Sequence, residues 1–478
     1  MSHPSDSAPA KVRVGRAARG GITPVNREEL PIILVPGIMG SRLHYKNEPD
    51  RPIWNPDSKV AMLLLAAKVT TARMKVFDVR TKATVFGKGS KDAKLTADQE
   101  RRGWGGCAWK FYGKGLQYLE AASSNHGGIV YCFGYDWRDT NWRSGKLLAN
   151  KIKEIRRRHR DEKVLIVTHS MGGLVTRCAC ALLEREGKGA AEKNVLGVVH
   201  TMQPANGTPL AYCQFKQGAK PSHWIPSITD AVLGAILGWD PIQFAAIASG
   251  TRAPFELMPN RDHVRTRGLE AYEEPKWRGP TGDPKRQWLT WDRTGKIKHK
   301  LPSNHSLWDI YKERTGRLGL IDYEELGKKK FIIISEKKLK VPLPAQEIAI
   351  RVGQGVDQAR IFHEQRLCRY VHPNTSVVAG TDLSTDIAVH LEFDWNLIVE
   401  HGTDANVVNE KKGDGTVALE SATCLPVNAC PALKITWADR QRIVRGVKHA
   451  DAFAQDSFNK VVWEMCQQVI KCAAQPTP

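Results

Sequence analysis

Residues 127–202 alternate buried strands with amphipathic helices, and this rhythm constrains the fold more than any other feature of the sequence. The runs at 127–138, 163–170 and 194–202 have the continuous apolar character of strands buried on both faces. Helical patterns separate them, the second being GGLVTRCACALLERE at 172–186. Strands joined by helices form parallel sheets with right-handed crossovers. The sequence therefore predicts an α/β protein with a mostly parallel central sheet and helices on both faces.

Further stretches extend this pattern toward both ends of the chain. PIILVPGIMGS at 31–41 is an apolar run that ends in Pro36 and Gly37, which predicts a buried strand followed by a glycine-rich loop. Near the other end, residues 440–453 predict the last strand and its following loop, and residues 458–472 predict a closing amphipathic helix.

The rhythm is lost between about residues 204 and 385, where Trp, Pro and charged residues dominate. A structureless loop of that length is not compatible with a compact domain. We therefore expect a cap, or lid, inserted at 205–385 between two halves of the core, 29–204 and 386–478. A flexible basic segment at 1–28 precedes them, and the second half should resume with a strand within 387–402.

The net charge of +21 over 478 residues favours anionic partners, such as phospholipid surfaces, nucleic acid or acidic proteins. Lys and Arg are scattered, without zinc-finger spacing, an aromatic RNP pattern or a basic helix leading into heptads, so we expect no nucleic-acid partner. The ten cysteines form no C-x-x-C pair, so we expect no metal site. Most should be free thiols, although Cys424 with Cys430, or Cys466 with Cys472, can pair in an oxidising compartment.

The N-terminal segment lacks the apolar region of a Sec signal peptide. No apolar run approaches the about 18 residues that a transmembrane helix needs. The longest apolar-biased stretch, 225–248, is interrupted by Asp and Pro residues. We therefore expect a protein that is cytoplasmic or exported by a non-Sec route, and that meets a membrane only from its surface.

VLIVTHSMGG at 164–173 places Ser170 between an apolar strand and a helix. A serine in such a turn matches the nucleophile elbow G-x-S-x-G, except that Thr168 occupies the position of the first glycine. The backbone amide after the nucleophile, here that of Met171, should bind the oxyanion of a tetrahedral intermediate. The second donor should come from the loop after the first strand, through the amide of Ile38 or Met39.

A serine nucleophile requires a general base, and the base requires an acid that orients it. KGDGTVALES at 412–421 offers Asp414 in a glycine-bracketed turn, and GVKHADAF at 446–453 offers His449. Asp404 and Asp451 are competing candidates for the acid. Each of these residues also has an ordinary interpretation, as a turn former or a loop histidine.

Together these stretches resemble the lecithin:cholesterol acyltransferase family and the related bacterial and PGAP1-like lipases. The matching stretches are PIILVPGIMGSRL at 31–43, GYDWR at 134–138, VTHSMGGLV at 167–175, ELMP at 256–259, GDGTV at 413–417 and the histidine of GVKHAD at 446–451. The resemblance implies an α/β-hydrolase fold with Ser170 as nucleophile, Asp414 as the orienting acid and His449 as general base and acid. It also implies an acyl-ester substrate and a cap over the site, while GYDWR is expected to be structural. The chain is also similar to lipase effectors exported by bacterial type VI secretion, which lack signal peptides.

We therefore predict a serine esterase that acts on long-chain acyl esters, a phospholipase A, without a metal or organic cofactor. The alternatives are an acyltransferase that uses the same residues and a non-catalytic binding module on a hydrolase scaffold. The expected partners are a lipid or membrane surface and a secretion-machinery or immunity protein. Trp224, Trp239 and Phe244 either dip into the lipid interface or pack the core of the cap.

Overall fold

The computed structural model describes residues 29–219, 228–260, 289–291, 307–313, 319–321, 326, 345–367, 369–391, 405–423 and 437–474. The predicted flexible segment 1–28, Asp404, Trp224 and the pair Cys424 and Cys430 lie outside the described residues.

The strands of the described residues are β1 (Leu30–Val35), β2 (Leu43–Tyr45), β3 (Glu48–Trp54), β4 (Ala83–Val85), β5 (Gly128–Cys132), β6 (Val164–His169), β7 (Val195–Thr201), β8 (Leu289–Trp291), β9 (Thr375–Thr381), β10 (Leu383–Leu391), β11 (Ala405–Gly413) and β12 (Gln441–Arg445).

The α-helices of the described residues are α1 (Lys59–Ala66), α2 (Thr70–Phe77), α3 (Ala97–Arg101), α4 (Trp109–Ser123), α5 (Asn141–Arg158), α6 (Gly172–Glu184), α7 (Ala190–Asn194), α8 (Pro209–Gln217), α9 (Ile228–Leu237), α10 (Pro241–Ala248), α11 (Leu307–Tyr311), α12 (Ala345–Ile361), α13 (Leu419–Thr423) and α14 (Asp456–Ala473).

The central sheet has six strands in the order β12-β9-β7-β6-β1-β5, and every neighbouring pair is parallel. This confirms the α/β architecture predicted from the strand and helix rhythm. Strand β6 is buried along its whole length and lies between β1 and β7. Because the carboxyl ends of parallel strands meet at one edge, the residues that follow β1, β6, β9 and β12 gather there.

Helices cover both faces of this sheet, and the alternation of side chains along the strands separates two hydrophobic clusters. Val164 and Ile166 of β6 belong to the cluster that includes residues of α5 and α6. Leu165 and Val167 belong to the cluster that includes residues of α4 and α14. Burial on both faces explains why β6 has a continuous apolar sequence instead of an alternating one.

The second half of the core differs from the prediction. Strand β9 lies in the central sheet between β7 and β12, so the boundary of the inserted region at residue 385 is wrong, and the core resumes by residue 375. The strand expected within 387–402 is part of β10, which pairs with β8 and β11 in a separate three-stranded sheet. Strand β9 has the sequence TSVVAGT, whose short apolar run gives little signal beside the longer apolar run that begins at residue 387.

The last strand and closing helix are found where the sequence predicts them, as β12 and α14. In the inserted region, Phe244 is buried and its ring contacts Phe215 edge to face at 5.0 Å between centroids, so this aromatic packs a core. Trp239 is 40% exposed. Among the described residues no single helix is long and apolar enough to cross a membrane. The two helical segments Ala231–Leu237 and Pro241–Ala248, which are bent relative to each other, together have a sufficient length and apolar composition.

The cysteines differ in part from the expectation. A disulfide joins Cys107 to Cys132 at the end of β5, a pair that the spacing of cysteines did not indicate. Cys466 and Cys472 are free thiols.

Candidate active site

Ser170 lies in a sharp turn between β6 and α6, as the elbow pattern predicts. Its φ of +52° is in the left-handed region, which non-glycine residues seldom adopt and which occurs in strained functional turns. The turn leaves no space around it: a Cβ at Gly172 would lie 2.4 Å from the carbonyl oxygen of Val35. The small residue two positions after the serine is therefore a steric requirement of the packing against β1.

Thr168, at the position of the usual first glycine, is accommodated by hydrogen bonds to the neighbouring strand. Its Oγ1 lies 2.9 Å from Nδ1 of His200, and its carbonyl oxygen accepts a hydrogen bond of 2.7 Å from the Thr201 hydroxyl. Both contacts are fully buried. The threonine side chain is directed to β7 and satisfied there, so this departure from the motif is compatible with the turn.

The glycine-rich loop after β1 passes directly beside the elbow. A Cβ at Gly37 would lie 2.8 Å from Cβ of Ser170, and Met39 has a φ of +61°. Met39 accepts a hydrogen bond of 2.7 Å at its carbonyl oxygen from the indole of Trp54. Within the described part of the chain, the amides of Ile38, Met39 and Met171 have no hydrogen-bond acceptor, so all three predicted donors are unoccupied.

The GYDWR stretch holds this loop in place. The hydroxyl of Tyr135 donates to the carbonyl oxygen of Pro36 at 2.9 Å, and its backbone amide donates to the Ser41 hydroxyl at 3.0 Å. Arg138 is fully buried and pairs with Asp136 through two hydrogen bonds of 2.8 Å. These contacts agree with a structural role for the motif.

Asp414 and His449 are brought together from different parts of the chain, 35 residues apart. Asp414 follows β11, His449 follows β12, and Nδ1 of His449 lies 2.8 Å from Oδ2 of Asp414. The backbone amide of His449 also donates to the carbonyl oxygen of Asp414 at 3.0 Å. The other carboxylate oxygen, Oδ1, accepts hydrogen bonds from the amides of Thr416 and Val417 at 3.0 and 2.7 Å.

This pairing fixes the chemistry available to His449. A carboxylate only accepts, so Nδ1 of His449 carries a proton and Nε2 of the neutral ring is left as a base. Asp414 is buried, and in the described part of the chain its carboxylate forms a hydrogen bond with no side chain other than that of His449, whereas the competing Asp451 is exposed. Within the described residues, the structure thus pairs His449 with Asp414 and not with Asp451.

Two buried residues that the sequence did not single out, Tyr112 and His169, lie against the predicted site. The Tyr112 hydroxyl lies 2.8 Å from Nδ1 of His169, and Nε2 of His169 lies 3.1 Å from the carbonyl oxygen of His449. Burial, and then the nearby charge of His449, lower the pKa of His169 well below its usual value. His169 directly precedes Ser170 in the sequence, but only its tertiary contacts show that its side chain lies against the predicted site.

Glu256, from the ELMP stretch, is a buried carboxyl group outside the predicted triad. Burial raises its pKa from 4.5 to about 8, although the Asn141 amide, which donates to Oε2 at 2.7 Å, opposes the shift. Its carbonyl oxygen accepts a hydrogen bond of 2.8 Å from Nε2 of His363. Glu256 thus joins the start of α5 to the segment after α12. Among the described residues, no group of three or more His, Cys, Asp or Glu side chains is arranged to hold a metal ion.

Comparison with known proteins adds a family match over the elbow. The family model described as "Lecithin:cholesterol acyltransferase" matches residues 105–233, which include β5, β6 and Ser170. This confirms, over about a quarter of the chain, the resemblance that the motifs indicate. No match was found among curated protein sequences.

Solved structures support the fold. The structure titled "The crystal structure of Tle4-Tli4 complex" superposes with a TM-score of 0.63 at 19% identity, covering 94% of this chain and 99% of that chain. The Bacillus licheniformis lipase BlEst2 in mature form (16% identity, 47% of this chain and 60% of that chain) and the metagenomic carboxyl esterase MGS0156 (11%, 51% and 53%) both have TM-scores of 0.21. Those two scores are too low to show a shared fold. The chain therefore has an α/β-hydrolase fold whose candidate site lies at the carboxyl edge of the central sheet.

Proposed function

We propose that this chain, which is similar to the lecithin:cholesterol acyltransferase family over the stretch that contains Ser170, is a serine esterase. The observation that carries the proposal is the hydrogen bond of 2.8 Å between Asp414 and His449, at the sheet edge where the strained turn of Ser170 also lies. A carboxylate, an imidazole and a serine in an elbow are the parts of a nucleophilic acyl-transfer site.

In the proposed reaction, Nε2 of His449 takes the proton of the Ser170 hydroxyl as the oxygen attacks the ester carbonyl. The amide of Met171, with that of Ile38 or Met39, donates to the oxyanion. Collapse of the intermediate breaks the bond to the alcohol, which leaves with the proton from His449. Water then attacks the acyl-enzyme with His449 again as base, releasing the carboxylic acid and restoring Ser170.

We propose long-chain acyl esters of phospholipids as the substrate, which makes the enzyme a phospholipase A. The net charge of +21 supports an anionic lipid surface as the partner. The region inserted between β7 and β9 is the proposed cap over the site. No cofactor takes part in this mechanism.

The alternative activity is transfer of the acyl group from Ser170 to an alcohol. It uses the same residues, so only product analysis with an alcohol acceptor present separates the two reactions. Predominant formation of a new ester in place of free fatty acid would favour the acyltransferase.

The decisive test of the proposed function is Ser170→Ala, measured against defined phospholipids and a soluble short-chain nitrophenyl ester. We expect loss of nearly all turnover, roughly 10³-fold or more, because a triad residue acts as part of a unit. The parent should also be labelled at Ser170 by a fluorophosphonate. A folded parent that neither hydrolyses an ester nor takes the label would instead favour a non-catalytic binding module.

We also propose export by a non-Sec route, such as type VI secretion, and a protein partner that neutralises the activity. Support comes from the structural neighbour, which was crystallised as a complex named Tle4-Tli4, together with the resemblance to secreted lipase effectors. Secretion of the tagged chain by a strain with, and a strain without, the secretion apparatus would test the route.

A further inference from the structure

Two buried side chains, Tyr112 and His169, have no part in the proposed reaction but lie between the loop after β1, the nucleophile elbow and the loop after β12. Tyr112 belongs to α4, and His169 is the last residue of β6, directly before Ser170. Their rings contact each other and the ring of Phe453, and the ring of His169 lies 4.8 Å from that of His449.

Three hydrogen bonds run through this pair without a break. The backbone amide of Gly37 lies 2.9 Å from the Tyr112 hydroxyl, and that hydroxyl lies 2.8 Å from Nδ1 of His169. Nε2 of His169 lies 3.1 Å from the carbonyl oxygen of His449. The chain thus begins in the loop of the proposed oxyanion donors, passes the elbow and ends on the residue proposed as general base.

The chemistry of the end groups fixes the direction of these bonds. A carbonyl oxygen only accepts, so Nε2 of His169 carries the proton. Nδ1 of the neutral ring then accepts from the Tyr112 hydroxyl, which in turn accepts from the amide of Gly37. In this arrangement each of the three donors, the Gly37 amide, the Tyr112 hydroxyl and Nε2 of His169, has one acceptor.

We propose that Tyr112 and His169 are positioning residues, which hold the oxyanion loop, the nucleophile elbow and the base loop at their reactive separation. This inference rests on the proposed function, because it assigns a role within that reaction. The contacts are close enough to transmit small displacements: a Cβ at Gly37 would lie 3.3 Å from Nδ1 of His169. A misplacement on the order of 1 Å is enough to slow an enzyme about 100-fold.

The first test is Tyr112→Phe, which keeps the packed ring and removes only the hydroxyl. The Gly37 amide and Nδ1 of His169 then lose their shared partner, so two hydrogen bonds are removed. We expect kcat for a soluble nitrophenyl ester to fall roughly tenfold, with KM nearly unchanged, because these bonds position the reacting loops. The matched control is Tyr131→Phe, because the Tyr131 hydroxyl lies 2.7 Å from Nε2 of His159 in a similar buried pair. His159 follows α5 and contacts Glu29 before β1, at the amino edge of the sheet, so this control should leave kcat unchanged.

The second test separates the two bonds of His169. His169→Gln places an amide donor near the former Nε2, His169→Asn places an acceptor near the former Nδ1, and His169→Phe keeps only the ring. We expect Phe to lower kcat most, by roughly 100-fold, and Gln to recover part of it through the bond to His449.

Two outcomes would overturn the inference. One is a folded Tyr112→Phe or His169→Phe variant with kcat within about twofold of the parent. The other is an equal loss of kcat in Tyr112→Phe and Tyr131→Phe, which would reduce the effect to general stability.

A readout independent of turnover separates this inference from the proposed function. The NMR signals of the His449 ring should move in Tyr112→Phe and not in Tyr131→Phe. If they move as expected while Ser170→Ala remains as active as the parent, the proposed function fails and the coupling of the loops stands. If Ser170→Ala is inactive but Tyr112→Phe changes neither kcat nor these signals, the positioning role alone fails.

Discussion

Single residues decide whether an elbow pattern becomes a site. Thr168 departs from the usual glycine, but its hydroxyl lies 2.9 Å from Nδ1 of His200, and the turn at Ser170 still reaches a φ of +52°. A β-branched residue fits at the end of a central strand when its polar atom finds a partner on the next strand. The steric limits fall instead on Gly37 and Gly172, where any side chain would collide with the elbow or with β1.

The choice of acid is also a residue-scale question. We expect Asp414→Asn to lower kcat by roughly 10³- to 10⁴-fold, because an amide can present its NH₂ to Nδ1 and favour the wrong tautomer of His449. Asp451→Asn is the matched control at an exposed position and should keep activity within about twofold. Hydrolysis of a soluble ester measures both, and similar losses in the two variants would mean that the acid is misassigned.

The sequence predicts secondary-structure elements well where periodicity is strong and poorly where it is weak. Strands β1, β6 and β7 and helices α6 and α14 match their sequence patterns because each is buried along a face or along its whole length. The sequence instead predicts that the residues of β9 belong to the cap, because seven residues rich in Ser, Thr and Gly do not reveal which sheet they will join.

A contact between elements gives a prediction about the pH dependence of stability. Glu256 is buried beside α5, and burial raises its pKa to about 8, so the folded protein holds a proton that the unfolded chain has already lost near pH 4.5. This contribution to stability is fully present below about pH 4.5 and is lost as the pH rises through about 8. Unfolding by urea between pH 6 and pH 9 should show a smaller loss of stability for Glu256→Gln than for the parent. Glu192→Gln, at an exposed position, is the control and should behave as the parent does.

At the scale of the whole molecule, the sheet and its two covering layers bring five separated parts of the chain to one edge. These parts are the loop after β1, the elbow after β6, the end of β9, the turn after β11 and the loop after β12. The end of β9 supports the acid directly, because a Cβ at Gly380 would lie 2.6 Å from Cβ of Asp414.

The net charge is the other whole-molecule property, and it gives a prediction about the salt dependence of activity. With a charge of +21, association with vesicles of anionic phospholipid should be fast at low ionic strength and weaken as salt shortens the Debye length from about 10 Å at 0.1 M. Hydrolysis of such vesicles should therefore fall between 0.05 and 0.5 M salt by at least several-fold, while hydrolysis of a neutral soluble ester changes little. Equal salt dependence of the two substrates would contradict electrostatic attraction to the lipid surface.

The sequence by itself determined the parallel core, the strand-turn-helix at Ser170 and the order of the candidate acid and base along the chain. These follow from local patterns: burial on both faces of a strand, turn chemistry and motif spacing. Tertiary structure alone decided that Asp414 and not Asp451 contacts His449, that Thr168 finds a partner in His200, and that β9 completes the sheet. It also joined Tyr112, His169 and His449, which are up to 337 residues apart in the numbering, because hydrogen bonds form between neighbours in space and the spacing of residues along a chain does not record them.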